Sequence, residues 1–111
     1  MTDKNNISQV LLKILEMTQS HEGMPDWALG MKLSEETGEV NEALLVANGF
    51  LQHKVLKEDV LHEVADVFNV CLGLLAKHYP TKTPEEILEQ LNSALVKKGK
   101  KYAGILGVDN D

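Results

Sequence analysis

Wound as a helix, Val60–Leu75 (VLHEVADVFNVCLGLL) is apolar around nearly its whole circumference, so this segment has to be a central helix enclosed by others. Two acids interrupt it, Glu63 and Asp66, flanked by Leu56, Val67, Val70 and Leu74. A second pair, Glu36 and Glu39, lies within MKLSEETGEVNEALL, on the side that also carries Leu29, Leu33, Val40, Ala43 and Ala47, with Lys32 beside it. At about 100° per residue, positions three apart fall about 60° apart on one helix face. Each pair is therefore directed into the stripe that faces the core.

An ionised carboxylate left unpaired in a protein interior costs several kcal/mol even after relaxation, while a whole domain is stable by about 5–15 kcal/mol. Four such groups need compensation, and only Lys32 and Lys77 are basic residues on these faces. A divalent cation held between the two helices satisfies all four. Hard carboxylate oxygens without His or Cys favour Mg²⁺ or Mn²⁺ over zinc.

The 111 residues make one all-α domain over 1–111, large enough for a core and small enough to gain from oligomerisation. A net charge of −6 excludes the broad basic surface of a protein that grips a nucleic-acid backbone. A polyanionic substrate then needs a metal ion or a local lysine cluster. The single cysteine, Cys71, rules out an intramolecular disulfide and reads as a core thiol. The start, MTDKNNISQ, lacks a charged-then-apolar signal, and no apolar run reaches the ~18 residues of a membrane span. The expectation is a cytoplasmic protein with no membrane or nucleic-acid partner.

Four helices are predicted. The first covers about Ile7 to Thr18, with Ile7, Val10, Leu11, Ile14 and Met17 at helical spacing. The second runs from about Pro25, suited to a first-turn position, to Ala47, where Asn48-Gly49 stops it. The third spans about Glu58 to Lys77. Thr83-Pro84-Glu85-Glu86 opens the fourth with a capping box; its apolar positions precede a lysine-rich end, and residues from Ala103 onward read as peripheral. With short connections these helices form a four-helix-bundle-type fold. The third is so evenly apolar that one chain does not cover it, which predicts a homodimer or a dimer-of-dimers tetramer.

Glu35-Glu36-Thr37-Gly38-Glu39, followed by Glu63-Val64-Ala65-Asp66, resembles the EExxE…ExxD signature of the MazG-like, all-α nucleotide pyrophosphohydrolases. The resemblance covers roughly Trp27 to Lys101, including a tryptophan ahead of the first motif and lysines at the end of the last helix. It implies Mg²⁺-dependent hydrolysis of (deoxy)nucleoside triphosphates to monophosphate and pyrophosphate, a housecleaning activity, with Glu36, Glu39, Glu63 and Asp66 as metal ligands. Glu35, about 40° from Glu39 around the helix, is the candidate general base, against an exposed helical residue. Lys32 lies beside the pairs as a candidate substrate contact.

Lys97, Lys98, Lys100 and Lys101 with Tyr102 are read as phosphate contacts, against dipole complementation and solubility; Lys97, Lys101 and Tyr102 match the family best. Asn69, three residues after Asp66, is either a sugar contact or a satisfied polar residue at a helix interface. Trp27 either stacks on a base or fills the core. Two other functions share these features. Phosphoribosyl-ATP pyrophosphohydrolase uses the same fold and metal logic, and a non-catalytic helical interaction module could use the acids as structural ion sites.

Overall fold

A computed structural model describes residues 6–51, 53–55 and 58–105, and among them every regular element is an α-helix. In chain order they are α1 (Ile7–Ser20), α2 (Asp26–Ala47), α3 (Val60–His78) and α4 (Pro84–Ile105). Leu56, expected beside the third-helix acids, and the last residues, 106–111, lie outside the described residues.

Local chemistry sets each boundary. Asn6 caps α1 by accepting from the Ser8 N–H at 2.9 Å. Pro25 is the N-cap of α2 rather than a first-turn residue: its ψ of 163° is extended, and the first turn begins with Asp26. At the other end of α2, Gly49 takes φ +85°, which glycine adopts without a Cβ penalty. The Phe50 N–H then reaches the Leu45 carbonyl (2.9 Å) and the Gly49 N–H the Val46 carbonyl (3.1 Å), the paired closure of a Schellman turn. Asp59 caps α3 through the His62 N–H at 3.0 Å.

The expected capping box at α4 is formed: the Glu86 N–H donates to Thr83 Oγ1 (3.1 Å) and the Thr83 N–H to Glu86 Oε1 (3.0 Å). The backbone N–H of Thr83 holds the Glu86 carboxyl below its usual value, and the Thr83 side chain adds to this. Thr83→Ala should lower unfolding stability by about 1 kcal/mol, read as a lower urea midpoint. A depressed carboxylate stabilises the fold above its unfolded value of 4.5. That contribution is lost as pH falls from 4.5 through the folded value. Glu86→Gln should flatten the acid limb of a stability–pH curve over that window.

α3 is the central helix: it packs most extensively on α2, then on α1, and it also meets α4. α1 packs on α4 as well, whereas α2 and α4 do not meet. The core gathers Leu15, Leu72, Ala76 and Ile87, with Leu11, Ile14, Leu75, Leu88 and Leu91 packed around it. Leu29 and Ala43 are the buried apolar residues of α2. Gly73 lies where α1 and α2 close on α3, with Thr18 of α1 and Leu29 of α2 both within van der Waals reach of a Cβ placed there.

The expectation of an enclosed third helix holds for half of its length. Its buried residues are Leu72, Gly73 and Ala76 in the C-terminal half, together with Glu63. On the outer face of the N-terminal half, Leu61 is 73 % and Phe68 61 % exposed. α4 does not extend cover over this face. From Asn92 to its end every α4 residue except Ala103 is exposed, including Leu95, Val96, Tyr102 and Ile105. The radius of gyration, 16.6 Å, exceeds the about 13 Å of a compact chain this long.

Candidate metal centre

The two carboxylate pairs meet where α2 packs on α3. Glu36, Glu39 and Glu63 each bring a carboxylate oxygen within 4.8 Å of the others. Asp66 is not part of that triad; with Glu58 and Glu63 it forms a second one within the same distance. Glu63 belongs to both.

Burial makes this more than a patch of surface acid. Glu36 is 7 % and Glu63 8 % exposed, and the Oε2 atom of each is sealed from solvent without a hydrogen-bond partner. Buried polar atoms are nearly always satisfied, and leaving an acceptor unmet costs about 1–3 kcal/mol, more when it is charged. At an effective dielectric of about 20, charges on Glu36 and Glu63 at this separation repel by about 3 kcal/mol. Two buried, mutually repelling oxygens with no donor, among further carboxylates, are the donor set that a hard divalent cation completes.

Among the described residues, Lys32 is the cation paired with this cluster. Its ammonium lies 3.3 Å from Glu36 Oε1 and 3.7 Å from Glu35 Oε1, and the Glu36 carboxylate holds it in the charged form, raising its pKa. The Lys32 contact is to Glu36 Oε1, so Oε2 is left unmet. Glu39 shows the uncompensated field: the Glu36 charge, then loss of solvation, pushes its carboxyl upward. A cation at Glu39 competes with protons, so its affinity should weaken as pH falls toward the carboxylate range.

Other expected site residues are placed less centrally. Glu35 is exposed on the flank of α2, joined to Lys32 and outside both triads. Asn69 is exposed on α3, three residues beyond Asp66. Trp27 is 67 % exposed at the start of α2, so it is not a core residue and its ring is open to stacking. Lys77, expected near the acids, instead donates to the His21 carbonyl. Lys97, Lys101 and Tyr102 are exposed on the distal half of α4, and no ion pair links them to the carboxylates among the described residues. α2 and α4 do not meet, so among the described residues these lysines are not packed against the α2 acids.

Sequence reasoning missed Glu58. It immediately precedes the cap Asp59, whose extended backbone (φ −78°, ψ 172°) turns the chain into α3. The signal that could have found it was the cap itself: an acid one residue before an N-cap lies beside the first turn, where Glu63 sits. Asp59 is engaged with His62, 2.5 Å from its Nδ1, and its carboxyl is lowered by the His62 backbone N–H and then by the ring. No helix among the described residues is long and apolar enough to cross a membrane. No protein-family model, curated protein or solved structure matches the chain.

Proposed function

We propose that this chain is a Mg²⁺-dependent nucleoside triphosphate pyrophosphohydrolase, with Mn²⁺ as an alternative ion. The observation that carries this reading is the pair of buried, unpartnered oxygens on Glu36 and Glu63 within a carboxylate triad. The order EExxE…ExxD, which resembles the MazG-like enzymes, supplies the reaction class.

In this reading Glu36, Glu39, Glu63 and Asp66 hold the ion. A bound Mg²⁺ supplies phosphate binding, charge neutralisation and a more acidic water. Water adds to one phosphorus of the α–β anhydride, and the bridging oxygen departs with the other phosphoryl group. Little covalent work is left for the protein, whose part is positioning and electrostatics. Glu35, on the solvent edge beside Lys32, takes the proton from the attacking water. Lys32 keeps positive charge at the same edge, where phosphate oxygens arrive. The open Trp27 ring offers a stacking face for a base, and Asn69 a polar contact for the sugar.

The lysines complete the site from a second copy of the chain. Leu61, Val64 and Phe68 form one stripe on α3, and it leads into Leu75, which packs against the core. Leu88, Leu91, Leu95, Tyr102 and Ile105 form another on α4, covered only at its beginning. Two uncovered apolar stripes on diverging helices fit a two-fold homodimer, which carries Lys97, Lys101 and Tyr102 toward phosphates bound at a partner's acids.

Pyrophosphate release from a panel of nucleoside and deoxynucleoside triphosphates, with phosphoribosyl-ATP included, tests the reading. Turnover of at least one triphosphate is expected with Mg²⁺, and none in excess chelator. Exclusive cleavage of phosphoribosyl-ATP would reassign the substrate. Cation binding without turnover of any substrate would leave a helical module with structural ion sites, and full activity in chelator would refute the metal mechanism.

A further inference from the structure

We infer that Lys32 is a displaceable internal cation: its ammonium holds the Glu36 carboxylate in the cation-free protein and swings out to the solvent edge beside Glu35 when a divalent ion binds. The inference rests on the metal reading above and adds to it a residue, outside both carboxylate motifs, that sets how tightly the ion is held.

The geometry carries it. Lys32 and Glu36 are one helical turn apart, and the ammonium lies 3.3 Å from Glu36 Oε1. Glu36 is also the buried member that α2 brings to the triad with Glu39 and Glu63, so the ammonium and an incoming ion are drawn to one carboxylate. Two cations there repel each other, and Mg²⁺ keeps several of its waters, which need the space beside the carboxylates it holds. The ion prevails because it carries twice the charge and meets three carboxylates, whereas the ammonium meets only Glu36 of the three.

The lysine is also built to leave. Its side chain is 49 % exposed on a flexible four-carbon stem, and Glu35 Oε1, at the exposed flank, is already 3.7 Å from its ammonium. Both of its ion-pair partners lie on its own helix, so its departure breaks no ion pair between helices. Glu36 is buried and does not follow. Loading the ion thus sends the ammonium to the edge where, in the reading above, phosphate oxygens arrive.

The test is Mn²⁺ titration without nucleotide, followed by loss of the free-Mn²⁺ EPR signal, on the parent and three variants. Lys32→Met keeps much of the stem and removes the charge, Lys32→Arg keeps the charge, and Lys13→Met, at an exposed lysine of α1, controls for the change in net charge. Lys32→Met should bind Mn²⁺ about ten-fold or more tighter than the parent, the scale on which a neighbouring charge shifts an ionisation, while Lys32→Arg and Lys13→Met stay near the parent. In chelator Lys32→Met should melt at a lower temperature, because Glu36 has lost its paired cation, and saturating Mn²⁺ should close that gap. A lysine that only braces the helix would leave the Mn²⁺ affinity unmoved. A crystal structure with Mn²⁺ bound should place the Lys32 ammonium out of contact with Glu36. Unchanged affinity in Lys32→Met, equal tightening in Lys13→Met, or an ammonium still on Glu36 beside a bound ion overturns the inference and leaves the metal reading intact. No bound ion in any of the proteins overturns the metal reading itself.

Discussion

Glu63→Gln should abolish Mg²⁺-dependent pyrophosphate release, by about three orders of magnitude or more, while leaving the cation-free protein at least as stable as the parent. The substitution keeps the shape of a side chain that is 8 % exposed and removes its charge. It also converts an acceptor without a partner into an amide with N–H donors that can point at the neighbouring Glu36 or Glu39 carboxylate. Relief of repulsion and gain of a donor both favour the folded state, by about 1–2 kcal/mol together. For a chain of this size that raises the melting temperature by about 4–8 °C. The cation response should move the opposite way. At about 100 times its dissociation constant an ion stabilises the parent by ~2.7 kcal/mol, and the variant should lose that increment. Thermal melts with Mg²⁺ and with chelator, set beside single-turnover assays, read both effects. Near-normal turnover would show that Glu63 is not a ligand, and a cation-free protein melting many degrees lower would show that the carboxylate was already satisfied.

Phe68→Glu should convert the proposed homodimer to monomer at micromolar concentration. Phe68 is largely exposed within one chain, so the change costs the monomer fold little. In a two-fold interface each substitution acts twice. Burying a phenylalanine contributes about 1.5–3 kcal/mol, so losing two weakens association by about 3–6 kcal/mol, or roughly 10²- to 10⁴-fold. Light scattering across a concentration series measures the shift, and circular dichroism checks that helicity is kept. A wild type already monomeric at low micromolar concentration would remove the basis for a site completed by a partner's lysines.

How far the sequence could be read depended on whether the information was local. Helix ends were legible because their chemistry is carried by adjacent residues: Thr83 with Glu86, and Asn48-Gly49 at the end of α2. Pro25 was misplaced by one residue because a fixed φ suits both the cap and the first turn; ψ separates the two, and proline's ring leaves ψ free. The convergence of Glu36, Glu39 and Glu63 came from helical spacing on two apolar stripes, which buries Glu36 and Glu63 but leaves Glu39 exposed at the rim rather than facing the core. Spacing placed Glu35 near the pair but not its preference for Lys32 and solvent, which is decided by side-chain torsions. Glu58 was hidden because helical periodicity says nothing about a residue ahead of the cap. The third helix shows how far apolarity alone can be read. Its even pattern states that Leu61 and Phe68 need cover that one chain does not supply, but not which surface supplies it; among the described residues none does.

The distal half of α4 has a thermodynamic status of its own. Almost without burial beyond Leu91, apart from the half-buried Ala103, its backbone hydrogen bonds are held by the helix–coil equilibrium alone. That equilibrium is marginal for so short a stretch, and Gly99 lowers it by about a further 1 kcal/mol relative to alanine. Amide exchange there reports local fraying, while exchange around Leu15 and Ala76 reports opening of the core. The same lysines proposed to meet phosphate thus sit on the part of the fold that an isolated chain holds least firmly, so docking them has to supply the order that the sequence leaves out.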